Sequence, residues 1–161
     1  MPFEVRRSVS IAIFAAFVGV NGGCGDGRPD RVPVSGTVLI DGQPLKHGYV
    51  RFVPTGARAS GGEVDGSGRF SLTCFEPGDG AVLGTHRVEV MTRERLTETK
   101  SLWHAPKKYA DFKSSGLTQE IDGPSDSVEI HLSWEGGKPF VEIDETEAGA
   151  RAPRKGTETA Q

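Results

Sequence analysis

The stretch VSGTVLIDGQPLKHGYVRFVP, residues 34–54, decides the fold class. Its first seven residues are rich in β-branched side chains, which favour strands. The pair Asp41-Gly42 follows, and such a pair is typical of a tight hairpin turn because both residues tolerate positive φ. The end of the stretch alternates, which places Val50 and Phe52 on one face of a strand. The stretch therefore predicts two β-strands on either side of a turn.

The same two signals recur downstream. Strands are predicted within four further segments, which are residues 61–75 (two strands around the turn Asp65-Gly66-Ser67-Gly68), 84–92, 117–121 and 127–134. Residues 93–116 interrupt the pattern, because they are polar and contain Pro106, which excludes a long helix. We expect a long loop there, with one helical turn near 107–112. About seven short strands separated by Gly-rich turns predict an all-β sandwich.

The chain shows the motif V-x-G-x-V-x-x-D-G-x-P-L at residues 34–45, then D-x-x-G-x-F at 65–70, then a strand that begins at Gly84. In this order the three elements resemble the carboxypeptidase-regulatory-like, or transthyretin-like, family. Residues 105–121 are also similar to a segment of small lipoproteins from planctomycete-type bacteria. The resemblance implies a single seven-stranded transthyretin-like (prealbumin-like) β-sandwich with Greek-key connections over residues 32–140. Gly36 is expected to let a neighbouring strand or a large side chain approach closely. The matching residues are Val34, Gly36, Val38, Asp41, Gly42, Pro44 and Leu45, then Asp65, Gly68 and Phe70, then Gly84, His86, Val88 and Val90.

Residues 1–23 are predicted to be a secretory signal peptide. Arg6 and Arg7 precede the almost wholly apolar run Ser8–Val20. As a helix this run would reach only about 20 Å, which is less than the roughly 30 Å of a bilayer's hydrocarbon core. A basic start, a short apolar core and small residues after it are typical of a signal peptide. The alternative, a buried amphipathic helix, is disfavoured because no polar face interrupts the run.

The end of this run, Gly22-Gly23-Cys24, resembles the lipobox of bacterial lipoproteins. The resemblance implies cleavage before Cys24, a lipid on its sulfur and acylation of the new amino terminus. Two or more acyl chains anchor a protein stably. Asn21 stands where an apolar residue is usual, which leaves open an ordinary signal peptide cut near Gly23. The implied location is the cell envelope, with the protein lipid-anchored to the outer membrane or at the periplasmic face.

The flanks of the domain are predicted to be flexible. Residues 24–31 form a polar tether that is rich in Gly and Pro. Residues 141–161 are expected to be a disordered tail, because 145–161 contains almost no large apolar side chain. Removal of residues 1–23 changes the net charge from −3 to −4, since two arginines and one glutamate leave. Such a mildly acidic chain argues against a nucleic-acid partner.

Catalytic chemistry finds little support in the sequence. The four histidines, His47, His86, His104 and His131, show no metal-binding spacing, and no G-x-S-x-G motif occurs. His86 and His131 are expected to be structural because they lie on predicted strands. Cys74 is expected to be a buried, inert thiol, and with Cys24 acylated it has no disulfide partner. We therefore predict no catalytic residue, no metal and no cofactor.

Two rival chemistries, a hydrolase activity and calcium binding, each match only part of the sequence. A hydrolase of 5-hydroxyisourate shares the transthyretin-like fold, but its subfamily ends in Y-R-G-S whereas this chain ends in TETAQ. Calcium could use oxygens from Asp65, Ser67 and Asp79, but the DGSGRF segment lacks the ligand run of an EF-hand. A tight hairpin explains the same residues, because glycine fits the turn directly.

The segment 93–116 contains the most distinctive side chains. Aromatic and basic residues together suit a sugar, an anionic polymer or a partner protein. The alternative, which we favour, is that the aromatic residues form a lid over one end of the sandwich. The protein is predicted to be a non-catalytic binding or structural module of the cell envelope. Its partner would be an envelope protein or a polysaccharide. The alternative is an accessory module or an enzyme of the envelope. The candidate surface consists of Trp103, His104, Lys107, Lys108, Tyr109 and Phe112.

Overall fold

The computed structural model describes residues 27–144 of the chain. The predicted signal peptide, Cys24 and most of the predicted tail lie outside the described residues. In this part of the chain no helix has the length and apolarity needed to cross a membrane. One 3-10 helix, Lys107–Ala110, accompanies the strands β1 Arg31–Val32, β2 Val34–Ile40, β3 Gln43–Pro44, β4 Gly48–Pro54, β5 Ser60–Val64, β6 Arg69–Ser71, β7 Ala81–Val82, β8 Gly84–Met91, β9 Arg93–Arg95, β10 Lys100–Trp103, β11 Leu117–Ile121, β12 Ser125–Leu132 and β13 Phe140–Ile143. Within residues 27–144 the all-β class is confirmed, with thirteen strands where the sequence predicts about seven.

Two sheets enclose the core. Sheet I has the order β11-β8-β4-β5 and is antiparallel throughout. Sheet II is built around β2, which pairs in parallel with β12 on one side and antiparallel with β6 and β3 on the other. The buried side chains of both sheets form one hydrophobic cluster, in which the rings of Phe52 on β4 and Phe70 on β6 have centroids 6.0 Å apart. The arrangement is consistent with a β-sandwich.

The alternation predicted for the long strands is confirmed. On β4, Val50 and Phe52 are fully buried while Tyr49 is exposed. On β8, Val88 is fully buried while Met91 is exposed. Complete burial of a side chain of this size contributes about 1.5–3 kcal/mol, so the alternating pattern supplies most of the stabilisation of the sandwich.

The Asp41-Gly42 turn is present, but it joins different partners from those that the sequence suggests. Both residues have positive φ, 47° and 77°, as the tight turn requires. The turn pairs β2 only with the two-residue strand β3, and β4 then crosses to sheet I. The Leu45 N–H still donates to the Val38 carbonyl at 2.9 Å, but the Val38 N–H donates to the Gly68 carbonyl, so β6 takes over this edge of β2 while the Leu45 side chain is buried in the core.

Gly36 allows the close approach that was expected of it. A Cβ on Gly36 would lie 2.0 Å from the carbonyl oxygen of Val128 on β12. The register of the β2–β12 pair shifts between Ser125 and Val128, so the β12 backbone bulges towards this position. Any side chain here would push the two strands apart.

The segment 93–116 is not the long loop that the sequence predicted. It contributes β9 and β10, which join β13 in a three-stranded sheet of order β13-β10-β9, called here the small sheet. The predicted helical turn is present as the 3-10 helix. The folded domain therefore extends beyond residue 140, where we expected the disordered tail to begin, because polar side-chain contacts and the β10 ladder hold β13. An ion pair between Arg93 and Asp144 is one such contact.

Candidate functional site

Trp103 lies at the centre of an aromatic group on one face of the small sheet. Its ring runs nearly parallel to that of Phe140, which is its direct partner across the β10–β13 ladder. The indole Nε1–H donates to the carboxylate of Glu142 at 2.7 Å. Trp103 is itself buried, whereas Phe140 is 38% exposed and meets Trp134 edge-on. The aromatic surface open to a partner is therefore Phe140 rather than Trp103.

Lys107 completes this group, which we call the Trp103 cluster (Trp103, Lys107, Trp134, Phe140 and Glu142). Its ammonium group lies 5.4 Å from the Trp103 ring centroid and 5.8 Å from that of Phe140. The same ammonium group forms an ion pair with Glu142. The hydrogen bond from Lys107, followed by that from Trp103, lowers the pKa of Glu142 below its usual value. The cluster thus presents one cation and one anion beside a half-exposed ring.

Tyr109 and Lys108 both lie on the 3-10 helix, but their side chains contact different parts of the domain. Tyr109 is buried among the core residues, and its hydroxyl accepts a hydrogen bond from the Ser133 backbone N–H at 3.1 Å. Lys108 reaches the carboxylate of Glu135 at 2.5 Å, and this hydrogen bond raises the pKa of the Lys108 ammonium group. The helix therefore fastens the segment 93–116 to the residues that follow β12.

His104 and Phe112 lie apart from the Trp103 cluster. The Nε2 atom of His104 is 2.6 Å from a carboxylate oxygen of Glu94, and its ring centroid is 5.5 Å from that of His47. The hydrogen bond with His104 lowers the pKa of Glu94. Phe112 is half-buried, with the guanidinium of Arg87 4.4 Å from its ring centroid. The structure thus distributes the six predicted residues among five surroundings, in which only Trp103 and Lys107 share one, and does not gather them into one surface.

The remaining histidines and Cys74 have roles in the fold. His86 is fully buried on β8, and its Nε2 lies 2.8 Å from the carbonyl oxygen of Val82. His131 is exposed and lies 3.2 Å from a carboxylate oxygen of Glu129. Cys74 is buried, as predicted. Across residues 27–144, His, Cys, Asp and Glu form no group of three or more that could hold a metal ion.

Asp65 and Ser67, for which the sequence favours a tight hairpin over calcium binding, shape the β5–β6 hairpin. One oxygen of the Asp65 carboxylate accepts hydrogen bonds from the Ser67 hydroxyl, the Ser67 backbone N–H and the Arg69 backbone N–H, at 2.7–2.9 Å. The Ser67 hydroxyl contributes most to the lowered pKa of Asp65. The tight hairpin predicted as the alternative is the arrangement observed, with the Gly68 N–H donating to the Asp65 carbonyl.

Asp79, the third calcium candidate, organises the loop before β7. Its carboxylate accepts hydrogen bonds from the successive backbone N–H groups of residues 74–76 and forms an ion pair with Arg31 at 2.8 Å. Burial is the largest single influence on the pKa of Asp79 and raises it, but these donors together outweigh burial and lower the pKa. Three guanidinium groups also lie 4.8 Å from the Phe75 ring centroid, and they belong to Arg28, Arg31 and Arg58.

Sequence reasoning missed Phe140, Glu142 and Trp134 as members of the candidate site. Phe140 is predicted as the last residue of the domain and Glu142 as part of the tail, although Val141, Glu142 and Ile143 alternate between apolar and polar as strand residues do. That alternation is the signal that could have identified them. Comparison of the chain with known protein families, curated proteins and solved structures gives no match.

Proposed function

We propose that the chain is an exported lipoprotein of the cell envelope, held by a lipid on Cys24, whose domain is a non-catalytic binding or structural module. The observation that carries the proposal is the start of the folded domain. β1 begins at Arg31, seven positions after Cys24. Seven extended residues reach at most about 25 Å. A domain on so short a connection would stand directly at the membrane surface.

The surroundings of the reactive side chains support the non-catalytic part of the proposal. His86 is fully buried, and the buried Cys74 thiol points to the carbonyl oxygen of Arg58 at 3.8 Å. The Nε2 atom of His104 lies 2.6 Å from a carboxylate oxygen of Glu94, and the neighbouring ring is that of His47, so Glu94 already engages this imidazole. General acid–base catalysis also requires a nucleophile or a substrate group within hydrogen-bond reach of the acid or base.

For the domain we propose the transthyretin-like topology. Without the two-residue strands and the small sheet, seven strands remain, which is the number that the resemblance implies. Sheet I contributes four of them and sheet II contributes β2, β6 and β12. Within sheet II the first long strand, β2, lies between β6 and the last long strand of the sandwich, β12, so the sheet joins strands that are far apart in the sequence. Greek-key connections between the two sheets are part of this proposal.

Within this proposal the segment 93–116 is principally a lid. Tyr109 belongs to the core cluster, and the Ser115 hydroxyl donates a hydrogen bond to the Val88 carbonyl. Val88 is the last residue of β8 that pairs with β11, so the segment covers the part of β8 that follows. A partner such as an envelope protein or polysaccharide would meet Phe140, Lys107 and Trp134 of the Trp103 cluster. Loss of folding in Tyr109→Ala would support the lid, whereas normal folding with loss of a partner would favour a binding site.

The mass of the mature N-terminal peptide tests the proposal. The full-length chain is expressed in a bacterium with its own first 23 residues, alongside Cys24→Ala. We expect an acylated peptide that begins at Cys24 in the wild type and is absent from the variant. A plain peptide would overturn lipid attachment. Turnover in a screen of ester, glycoside and peptide substrates, lost on a single His→Ala change, would overturn the non-catalytic assignment.

A further inference from the structure

The face of the small sheet opposite Trp103 exposes apolar side chains. Val141 is 50% and Ile143 58% exposed. Leu102, which is the direct partner of Val141 across the ladder, lies half-buried beside them. Leu96, in the turn between β9 and β10, is 48% exposed. Adjacent exposed apolar side chains of this kind mark an interaction surface more often than isolated ones do.

One edge of this sheet is also open. Among residues 27–144, β13 pairs only with β10. The Asp144 N–H donates to the Thr99 carbonyl at 2.8 Å, so the even-numbered residues of β13 direct their backbone groups towards β10. Because hydrogen-bonding direction alternates along a strand, the N–H and C=O groups of Val141 and Ile143 point to the open edge. Such an edge is a template for a further strand.

The part of the chain that follows β13 is poorly suited to cover this face. Residues 145–161 contain only alanine and proline as apolar residues, so they cannot match Val141 and Ile143 with large side chains. The flanks of β13 suit a different occupant. Lys138 precedes the strand, and Asp144, which forms the ion pair with Arg93, follows it, so an antiparallel copy of the same strand would add the partner's Lys138 ammonium group to this ion pair.

We propose that the occupant is a second copy of this chain, whose β13 pairs antiparallel with the first β13 about a two-fold axis through Val141. In this register Lys138 faces the partner's Asp144, and Phe140 faces the partner's Glu142. The two small sheets become one six-stranded sheet, and the apolar faces of both copies form one continuous surface. An axis through Glu142 would instead set two carboxylates directly opposite each other, which is destabilising.

Disulfide crosslinking in cells that express the full-length chain tests this dimer and its register. Val141→Cys places the two sulfurs at the axis, within the Cα separation that a disulfide spans. Ile143→Cys is the matched control: it is similarly exposed, but its two copies would be about 13 Å apart along the strands. Wild type supplies the background from the native cysteines. After mild oxidation, bands are separated without reductant and identified by mass spectrometry.

We expect Val141→Cys to give at least about tenfold more covalent homodimer than Ile143→Cys, because only the former satisfies disulfide geometry. The increase should disappear when Lys138→Glu is added, since like charges would then face each other at both ends of the pair. Equal crosslinking of the two variants, crosslinking to a different protein, or no dimer above the wild-type background would each overturn the proposal. A soluble-fraction and heat-stability check on each variant confirms that the compared proteins are folded.

Discussion

The sandwich and the small sheet are held together in different ways. In the sandwich, strands such as β4 and β8 bury every second side chain in a shared core, and Val50, Phe52 and Val88 have no exposed surface. In the small sheet, Trp103 is the one buried large side chain, and one face leaves Val141 and Ile143 largely exposed. The small sheet depends instead on polar contacts at its ends and on the Trp103 cluster.

This difference implies two levels of stability in one domain. Buried apolar area contributes roughly 25 cal/mol per Å² regardless of pH, whereas exposed ion pairs contribute little and are screened by salt. We therefore expect the small sheet to open locally while the sandwich remains folded, since local openings favour regions with few buried apolar contacts.

The largest expected effect comes from Phe52→Ala, which attacks the core of the sandwich. Loss of a fully buried phenylalanine should reduce the free energy of unfolding by about 3–5 kcal/mol, measured by urea denaturation. Met91→Ala on the neighbouring strand is the control, because Met91 is exposed and should change stability by only about 0.5 kcal/mol. Similar losses in both variants would show that burial does not distinguish the two faces of sheet I.

A smaller and local effect is expected from Trp103→Phe. The variant keeps an aromatic ring but removes the hydrogen bond to Glu142. Backbone amides of β10 and β13 should exchange roughly fivefold faster with deuterium, while those of β4 remain unchanged. Trp134→Phe serves as the control, since no hydrogen bond of its indole is observed in the described part of the chain. An equal change across both sheets would contradict the independence of the small sheet.

The smallest expected effect concerns pH. Hydrogen bonds from Lys107 and Trp103 lower the pKa of Glu142 below its ordinary 4.5. The stabilisation that the carboxylate gives is therefore complete above pH 4.5 and is lost as the pH falls through the lowered pKa. The Trp103 indole N–H signal in NMR spectra should titrate below pH 4.5, and Glu142→Gln should abolish this titration. A titration that persists in the variant would assign it to another group.

Sequence reasoning succeeded where side-chain alternation follows burial. The long strands β2, β4 and β8 and the Asp41-Gly42 turn were all recognised, because their patterns reflect a two-sided environment and a positive-φ turn. The connection after the turn was not recognised. After a tight turn a chain can either continue the hairpin or cross to the other sheet. Here the choice depends on where Leu45 is buried, which is a property of the tertiary structure.

The small sheet could not be predicted in the same way. Its strands β9 and β10 read RER and KSLW, which carry no alternation of apolar and polar residues. Burial does alternate along β10, but the two buried positions hold the polar Ser101 and the apolar Trp103, so the sequence does not reveal it. The ladder brings together residues as far apart as Lys100 and Ile143. The prediction of the candidate site was incomplete for the same reason. Trp103 and Lys107 were identified, but their partners Phe140 and Glu142 lie on β13, which is distant in the sequence.

The parallel pairing of β2 with β12 has a mechanical consequence. These are the first and last long strands of the sandwich, and they run side by side in the same direction over residues 34–40 and 125–132. A force that pulls the chain's amino-terminal side against its carboxyl-terminal side acts along this ladder in shear. Its hydrogen bonds must then yield together rather than one at a time. A domain connected in this way can resist tension between a surface at one end and a load at the other.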